Sequence, residues 1–392
     1  MLLRLANAPR DYAWGSTTLL AELEGRTPSG APEAEVWFGD HAGSPSLVDD
    51  GSGRTLDEWL AAEGAAHGMP PRLPFLVKLL AAGSPLSIQV HPSKDQAEAG
   101  FAREHEAGLP VEAGHRNYRD DNHKPELIVA VSERFEALAG IRDRDETLRL
   151  LDGLGDGPAV RRLAGRLAGP EPATALRDTI AWLLSGEADA DVAEVIAAVR
   201  TAPAGAFDAE HDLVGRLADA YPGDAGVVVA LLMNRVELAE GEALFVAAGV
   251  LHAYVAGLGV ELMAASDNVL RGGLTPKHID VGELLAILDT TPGPAPILTP
   301  AEVAPGALRF DPGIPDFALT RVRVSGEARV PLDGAAIVVA TRGEVVVAGV
   351  SEEVRLRPGA AVLVTPDEGA VSLHGEGFVF VAMRGASARR EG

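Results

Sequence analysis

Apolar and polar positions along the chain change period twice, and the changes divide it. Up to about residue 141 the apolar residues come in short runs and alternations of strand type. Pro74-Phe75-Leu76-Val77-Lys78-Leu79-Leu80 is an apolar strand interrupted by one charge. Leu86-Ser87-Ile88-Gln89-Val90-His91-Pro92 alternates, so Ser87, Gln89 and His91 share one face and Leu86, Ile88 and Val90 the other. Glu126-Leu127-Ile128-Val129-Ala130 is a third strand, entered through Pro125, whose missing N–H suits a first strand position. From Arg142 to Tyr221 the period becomes helical. Leu148, Leu151 and Leu154, then Ile180, Leu183 and Leu184, then Val192, Val195, Ile196 and Val199 recur at helix spacing, with Gly/Pro punctuation between them. The strand period returns at Ala243-Leu244-Phe245-Val246, turns at Ala247-Ala248-Gly249, comes back through Val250–Tyr254, and predicts a further short strand after that.

Past Pro292-Gly293-Pro294 the chain reads as short strands at 319–324, 335–341, 344–347, 360–364 and 378–381, with turns at Gly343, Gly349 and Gly359. Two isolated helices are predicted earlier, at 55–68 with Thr55 as N-cap, and from Asp95 to about Arg103. Residues 1–54 read as loops and short strands. The fold class is therefore mainly β with an inserted all-helical domain. The expected domains are 1–141 with 222–295, the helical insert 142–221, and a C-terminal β domain 296–392.

Composition narrows the chemistry. The chain has 392 residues, no cysteine and a net charge of −23. Without cysteine there are no disulfides, thiolate metal sites or thiol nucleophiles, so a metal would need N and O ligands. The negative charge argues against nucleic acid or an anionic membrane as partner, and no apolar run has spanning length. A cytoplasmic monomer acting on a small molecule is the expectation. Only four of the 34 basic residues are lysines, at 78, 94, 124 and 277. Where arginine serves almost everywhere, a retained compact ammonium points to an oxygen it must meet.

The chemistry-bearing residues gather on the predicted strands. Lys78 in an apolar strand is costly unless it enters a polar cavity. Gln89 and His91 share a face, Glu126 stands at a strand entrance, and His252 follows a small-residue turn. Two imidazole nitrogens, a carboxylate and an amide oxygen suit Zn²⁺, although Fe²⁺ or Mn²⁺ would fit the same set. A polar run, Glu261, Ser266, Asp267, Asn268, Arg271, Thr275 and Lys277, follows His252.

Gly241, Gly249 and His252 have the spacing of the second cupin motif, with Ala247 and Ala256 in place of the usual Pro and Asn. More widely, six segments in order resemble the type I phosphomannose isomerases. They are Tyr12-Ala13-Trp14-Gly15-Ser16, Ala34-Glu35-Val36-Trp37-Phe38-Gly39, Pro85 to Pro92, Asn122-His123-Lys124-Pro125-Glu126, Leu251-His252-Ala253-Tyr254, and Ser266 to Lys277. Val36, Phe38 and Ala247 depart from the family pattern, and none is a carried-over ligand. The resemblance implies two cupin (jelly-roll) barrels, the second without metal. It implies one zinc held by Gln89, His91, Glu126 and His252, and interconversion of mannose 6-phosphate and fructose 6-phosphate.

That reaction moves a proton between C1 and C2 through a cis-enediol, and needs a base, an electrophile and donors. Arg271 acting with Glu261, Asp267 and a metal-held water are the candidate proton carriers, and Lys124 joins the catalytic set. Lys78, Lys94 and Lys124 are the expected phosphate contacts, with Arg271 and Lys277 as rivals; Trp14, Ser87 and Tyr254 complete the substrate-facing set. A cupin dioxygenase with iron, or a sugar-binding regulator without turnover, are the readings from other classes.

Overall fold

The computed structural model describes residues 1–385. Two nine-stranded, mainly antiparallel sheets and a block of helices make up the molecule. The long strand His252–Ala264 organises the first sheet. Its C-terminal half pairs with Phe75–Ala82 and Glu126–Ala130, and its start with Arg134–Ile141 and with Gln89. The expected break between a strand at 250–254 and a second short one does not occur. Gly257, at φ 119 beside a register shift, lets one strand bend and serve four partners. The alternating stretch 86–92 contributes only Gln89–Val90 as strand, because Leu86 N makes a single bond to Tyr254 O and Ile88 N donates to Gly273 O in a turn, neither extending a ladder.

The second sheet runs through Ala301–Ala304, Ala307–Phe310, Ala318–Pro331, Ala370–Met383, Ala336–Ala348 and Ala361–Val364. Gly343 is not a turn: Ala336–Ala348 is continuous, with a bulge between Ala340 and Arg342. Two early segments join this sheet. Leu2–Ala6 pairs with Ala361–Val364, and Leu47–Val48 pairs with Leu2–Ala6. Among the described residues neither ladder closes on itself, so both sheets are open where closed barrels are expected. They share one apolar core, in which Phe38, Phe75, Leu127 and Val260 meet Leu5, Phe310, Phe317, Leu363 and Phe380.

Five helices fill the middle segment: Arg144–Gly153, Pro158–Leu167, Pro172–Leu184, Asp189–Thr201 and Asp208–Ala220. Asp143 caps the first by accepting from Asp145 N and Glu146 N, both at 3.0 Å. Proline opens the next two at a position whose N–H has no helical partner. Their apolar stripes pack beneath Ile88, Val90 and Leu251, the backs of the cavity-lining strands. Elsewhere, Thr55 and Glu58 form the capping box of Leu56–Glu63, and Ser93 and Gln96 that of Lys94–Glu106. Leu19–Glu24 is a helix that the sequence pattern does not announce. No helix among the described residues is long and apolar enough to cross a membrane.

Candidate metal centre and cavity

The open end of the first sheet holds a cavity of about 640 Å³. Strand register decides which side chains enter it. Gln89 stands opposite His252 on one side and opposite Arg271 on the other, so three neighbouring strands send Gln89, His252 and Arg271 to one face. Glu261 stands opposite Lys78, and Lys78 opposite Trp37. Glu126 faces Met263, two residues past Glu261, and so shares the same side.

Glu126 collects the polar atoms. Its Oε1 lies 3.1 Å from His91 Nε2 and 2.8 Å from Lys124 Nζ. Its Oε2 lies 3.3 Å from His252 Nε2 and accepts from the Tyr254 hydroxyl at 3.3 Å. Burial alone would raise this carboxyl, but Lys124 and the histidines hold it well below its ordinary range. Both imidazoles are anchored from behind, His91 Nδ1 on Asn268 O at 2.8 Å and His252 Nδ1 on Val250 O at 3.2 Å. An Nδ1–H that donates to a carbonyl leaves Nε2 as a lone pair. Burial, with Lys124 nearby, pulls the His91 imidazolium down to about 4, so the ring is neutral. The Nε2 atoms of both imidazoles therefore converge on the Glu126 carboxylate, and buried His91 Nε2 has no hydrogen-bond partner among the described residues. Acceptors facing acceptors are repulsive unless a cation stands between them. The donor set fits zinc: two nitrogens and a carboxylate oxygen, with the Gln89 carboxamide on the adjacent strand.

Beside this cluster is a buried ion triad. Lys78 Nζ lies 2.9 Å from Glu261 Oε2 and 3.4 Å from Glu35 Oε1, 5.0 Å above the Trp37 ring. Burial opposes its charge, but Glu261, Glu35 and Glu126 outweigh burial and raise its pKa. The other Glu35 oxygen accepts from Trp37 Nε1 at 2.8 Å. Burial raises the Glu261 carboxyl; Lys78 opposes the rise, and Glu126 and Glu35 add to it.

Trp14, Ser87, Tyr254, Lys124, Arg271 and Lys277 also line the cavity. Two expected site residues do not. Asp267 points outward, half exposed, 3.4 Å from His41, because its neighbours Ser266 and Asn268 are the buried ones. Lys94 is the first residue of its helix and projects to solvent, where its ammonium meets Asp121 O at 2.8 Å. Of the four lysines, Lys78 and Lys124 are paired with buried carboxylates. The cavity's cations without a carboxylate partner among the described residues are Arg271 and Lys277. Burial lowers the pKa of both. Arg119 adds to this at Arg271, and Arg271 and Arg119 add to it at Lys277. Glu35, Tyr12 and Tyr221 line the cavity without having been singled out. For Glu35 the signal was present: a lysine in an apolar strand needs a carboxylate, and Glu35 shares a strand face with Trp37.

Known proteins resemble the chain throughout. A model of the type I phosphomannose isomerase catalytic domain matches residues 2–144. Mannose-6-phosphate isomerase of Escherichia coli K12 is 37% identical over 387 residues, covering 95% of this chain and 97% of that one. The Rattus norvegicus enzyme of the same name is 31% identical, covering 92% of each. Among solved structures, mannose 6-phosphate isomerase from Salmonella typhimurium, bound to its substrate fructose 6-phosphate and zinc, superposes with a TM-score of 0.88. It is 34% identical and covers 98% of this chain and all of that one. The order and spacing of the cavity residues and these likenesses agree: the chain belongs to the type I phosphomannose isomerase family.

Proposed function

We propose that the cavity interconverts D-mannose 6-phosphate and D-fructose 6-phosphate with one zinc ion per chain, held by Gln89, His91, Glu126 and His252. The observation that carries this reading is the meeting of the His91 and His252 Nε2 atoms with the Glu126 carboxylate, in a cavity that also holds Arg271 and Lys277, neither with a carboxylate partner among the described residues. When bound, zinc supplies a Lewis acid that polarises the sugar's carbonyl or hydroxyl oxygen.

The chain's own groups divide the remaining work. Arg271 and Lys277 take the phosphate, since their mutual repulsion is relieved by a dianion. Lys78 and Lys94, expected there from sequence, are not proposed: one sits between two carboxylates and the other lies outside the cavity. Glu261 carries the proton between C1 and C2, its proton affinity raised toward the working range of a general base. Lys78 holds the ionised form of Glu261 in place. Lys124 and Tyr254 orient Glu126, and Trp14 and Ser87 border the sugar. Asp267, turned away from the cavity, has no part in this scheme.

We further propose that each sheet belongs to a cupin-type unit. The first is built from 1–141 and 222–295 with the helical insert 142–221, and the second from 296–392, completed by the strands Leu2–Ala6 and Leu47–Val48. A cytoplasmic monomer fits the lack of cysteine and the few large apolar side chains exposed among the described residues, Leu47, Val111, Ile297, Val303 and Val350.

The test is turnover of mannose 6-phosphate before and after chelation, with zinc added back. Loss to the chelator and recovery with zinc supports the reading; no turnover in the zinc-loaded protein overturns it.

A further inference from the structure

Among the described residues one non-glycine residue has positive φ, Leu274 at 54°. A left-handed leucine is strained by its Cβ, and such strain persists only where the surroundings over-determine it. Here the surroundings are Asp224. Its Oδ1 accepts from Leu274 N and its Oδ2 from Thr275 N, both at 3.0 Å, and Oδ1 also accepts from Gly226 N at 2.7 Å. Charge-assisted bonds from two successive backbone amides define the turn's shape. Glycines close it further: a methyl on Gly226 would fall 2.6 Å from Leu274 N and 2.7 Å from Gly273 Cα. Leu274, Thr275, Pro276 and Lys277 all line the cavity, and Arg271 enters it just before the turn. Asp224 does not line it.

We infer that Asp224 is a positioning residue that fixes the 272–277 turn so that Lys277 meets the anionic group of the substrate. The inference rests on the phosphosugar reading above. It also gives the helical segment a part in the site. Asp224 stands just after that segment's last helix, and Tyr221, which caps the helix and donates to Pro85 O at 2.7 Å, is itself a cavity wall.

The test uses the full-length, zinc-loaded protein. Asp224→Asn keeps the size but offers one acceptor oxygen where two are used, so one of the two turn amides loses its partner. KM for mannose 6-phosphate should rise about tenfold with kcat within about threefold, the pattern of lost uniform binding. Inorganic phosphate, bound alone and measured by calorimetry, should weaken by a similar factor, while zinc content stays at one per chain. In a Lys277→Ala background the same substitution should add less than about twofold, because the cation it places is gone. Unchanged KM and phosphate affinity, or an undiminished effect on top of Lys277→Ala, would overturn the inference. If Asp224→Asn does not fold, Gly226→Ala, which pushes the turn from outside and leaves the carboxylate in place, is read by the same criteria. Phosphate calorimetry keeps the outcome separate from the isomerase assignment, since it reads the turn even in a protein that turns nothing over.

Discussion

The backbone carbonyl of Asn268 accepts the Nδ1–H of His91 at 2.8 Å, while the Asn268 side chain clasps a different loop. Its Oδ1 accepts from Arg119 N at 2.7 Å, and its Nδ2 donates to Asp120 O and Asn122 O, both at 2.8 Å. One fully buried amide thus ties the loop leading to Lys124 to the residue that aims His91. Asn268→Ala should cost about 2–4 kcal/mol by stranding these backbone groups. It should also weaken zinc by about 10–100-fold through a loosened His91. Thermal denaturation and a competitive zinc titration read the two effects. Wild-type zinc affinity in a destabilised variant would separate the clasp from the metal.

Glu126→Gln keeps the volume and removes the charge on which both imidazoles converge. Loss of a Lewis acid worth several kcal/mol should lower kcat by about 10³-fold or more. Metal analysis after dialysis should show the purified variant nearly zinc-free. A variant that retains zinc and turns over normally would remove Glu126 from the ligand set.

Lys78→Met leaves Glu35 and Glu261 buried without their cation, a change of the kind that costs about 3–5 kcal/mol. The pH profile is the sharper readout. Burial raises the Glu261 carboxyl and Lys78 opposes the rise, so removing Lys78 should raise it further. A base works only when ionised, so the acid limb of kcat should move to higher pH in Lys78→Met. For stability the sign is the reverse of an ordinary paired carboxylate. A raised folded pKa means Glu261's contribution is fully present below its unfolded pKa and is lost as pH rises through the folded one. An acid limb that stays in place would remove Glu261 from the proton-carrying role.

His123 Nε2 lies 3.0 Å from Asp316 Oδ1, linking the residue next to Lys124 to the loop that enters Ala318–Pro331 of the second sheet. Asp316→Asn should lower stability by about 1 kcal/mol and kcat a few-fold, and the kcat loss should vanish in a Lys124→Ala background. Equal losses in both backgrounds would confine the pair to stability.

The legible parts of this molecule are those set by neighbours in sequence. Alternation placed Gln89 and His91 together, proline marked the entrance of the Glu126 strand, and helical period marked the insert. The illegible parts depend on partners far along the chain. That Lys78 needs a carboxylate could be read; that Glu35 and Glu261 both supply one needed the register of three strands. The part Asp224 plays at the 272–277 turn could not be read locally, because it is played on backbone amides some 50 residues away. Lys94 misled for the opposite reason: rarity of a residue type says nothing of which way its side chain leaves a helix. The turn assigned to Gly343 failed because its left-handed backbone, which a turn also asks of glycine, here lies just past a bulge inside a continuous strand.

The pairing of Leu2–Ala6 with Ala361–Val364 has a consequence for synthesis. A ribosome adding 5–20 residues per second takes roughly 20–70 s to travel between the two strands. During that interval the early strand, three of whose five residues are leucine, has only the two-residue pairing with Leu47–Val48 to join. The second sheet is therefore assembled last and from both directions, around a segment that has waited longest. A nascent chain halted before residue 361 keeps that strand edge open, and so it should be a better client for a holding chaperone than the finished protein.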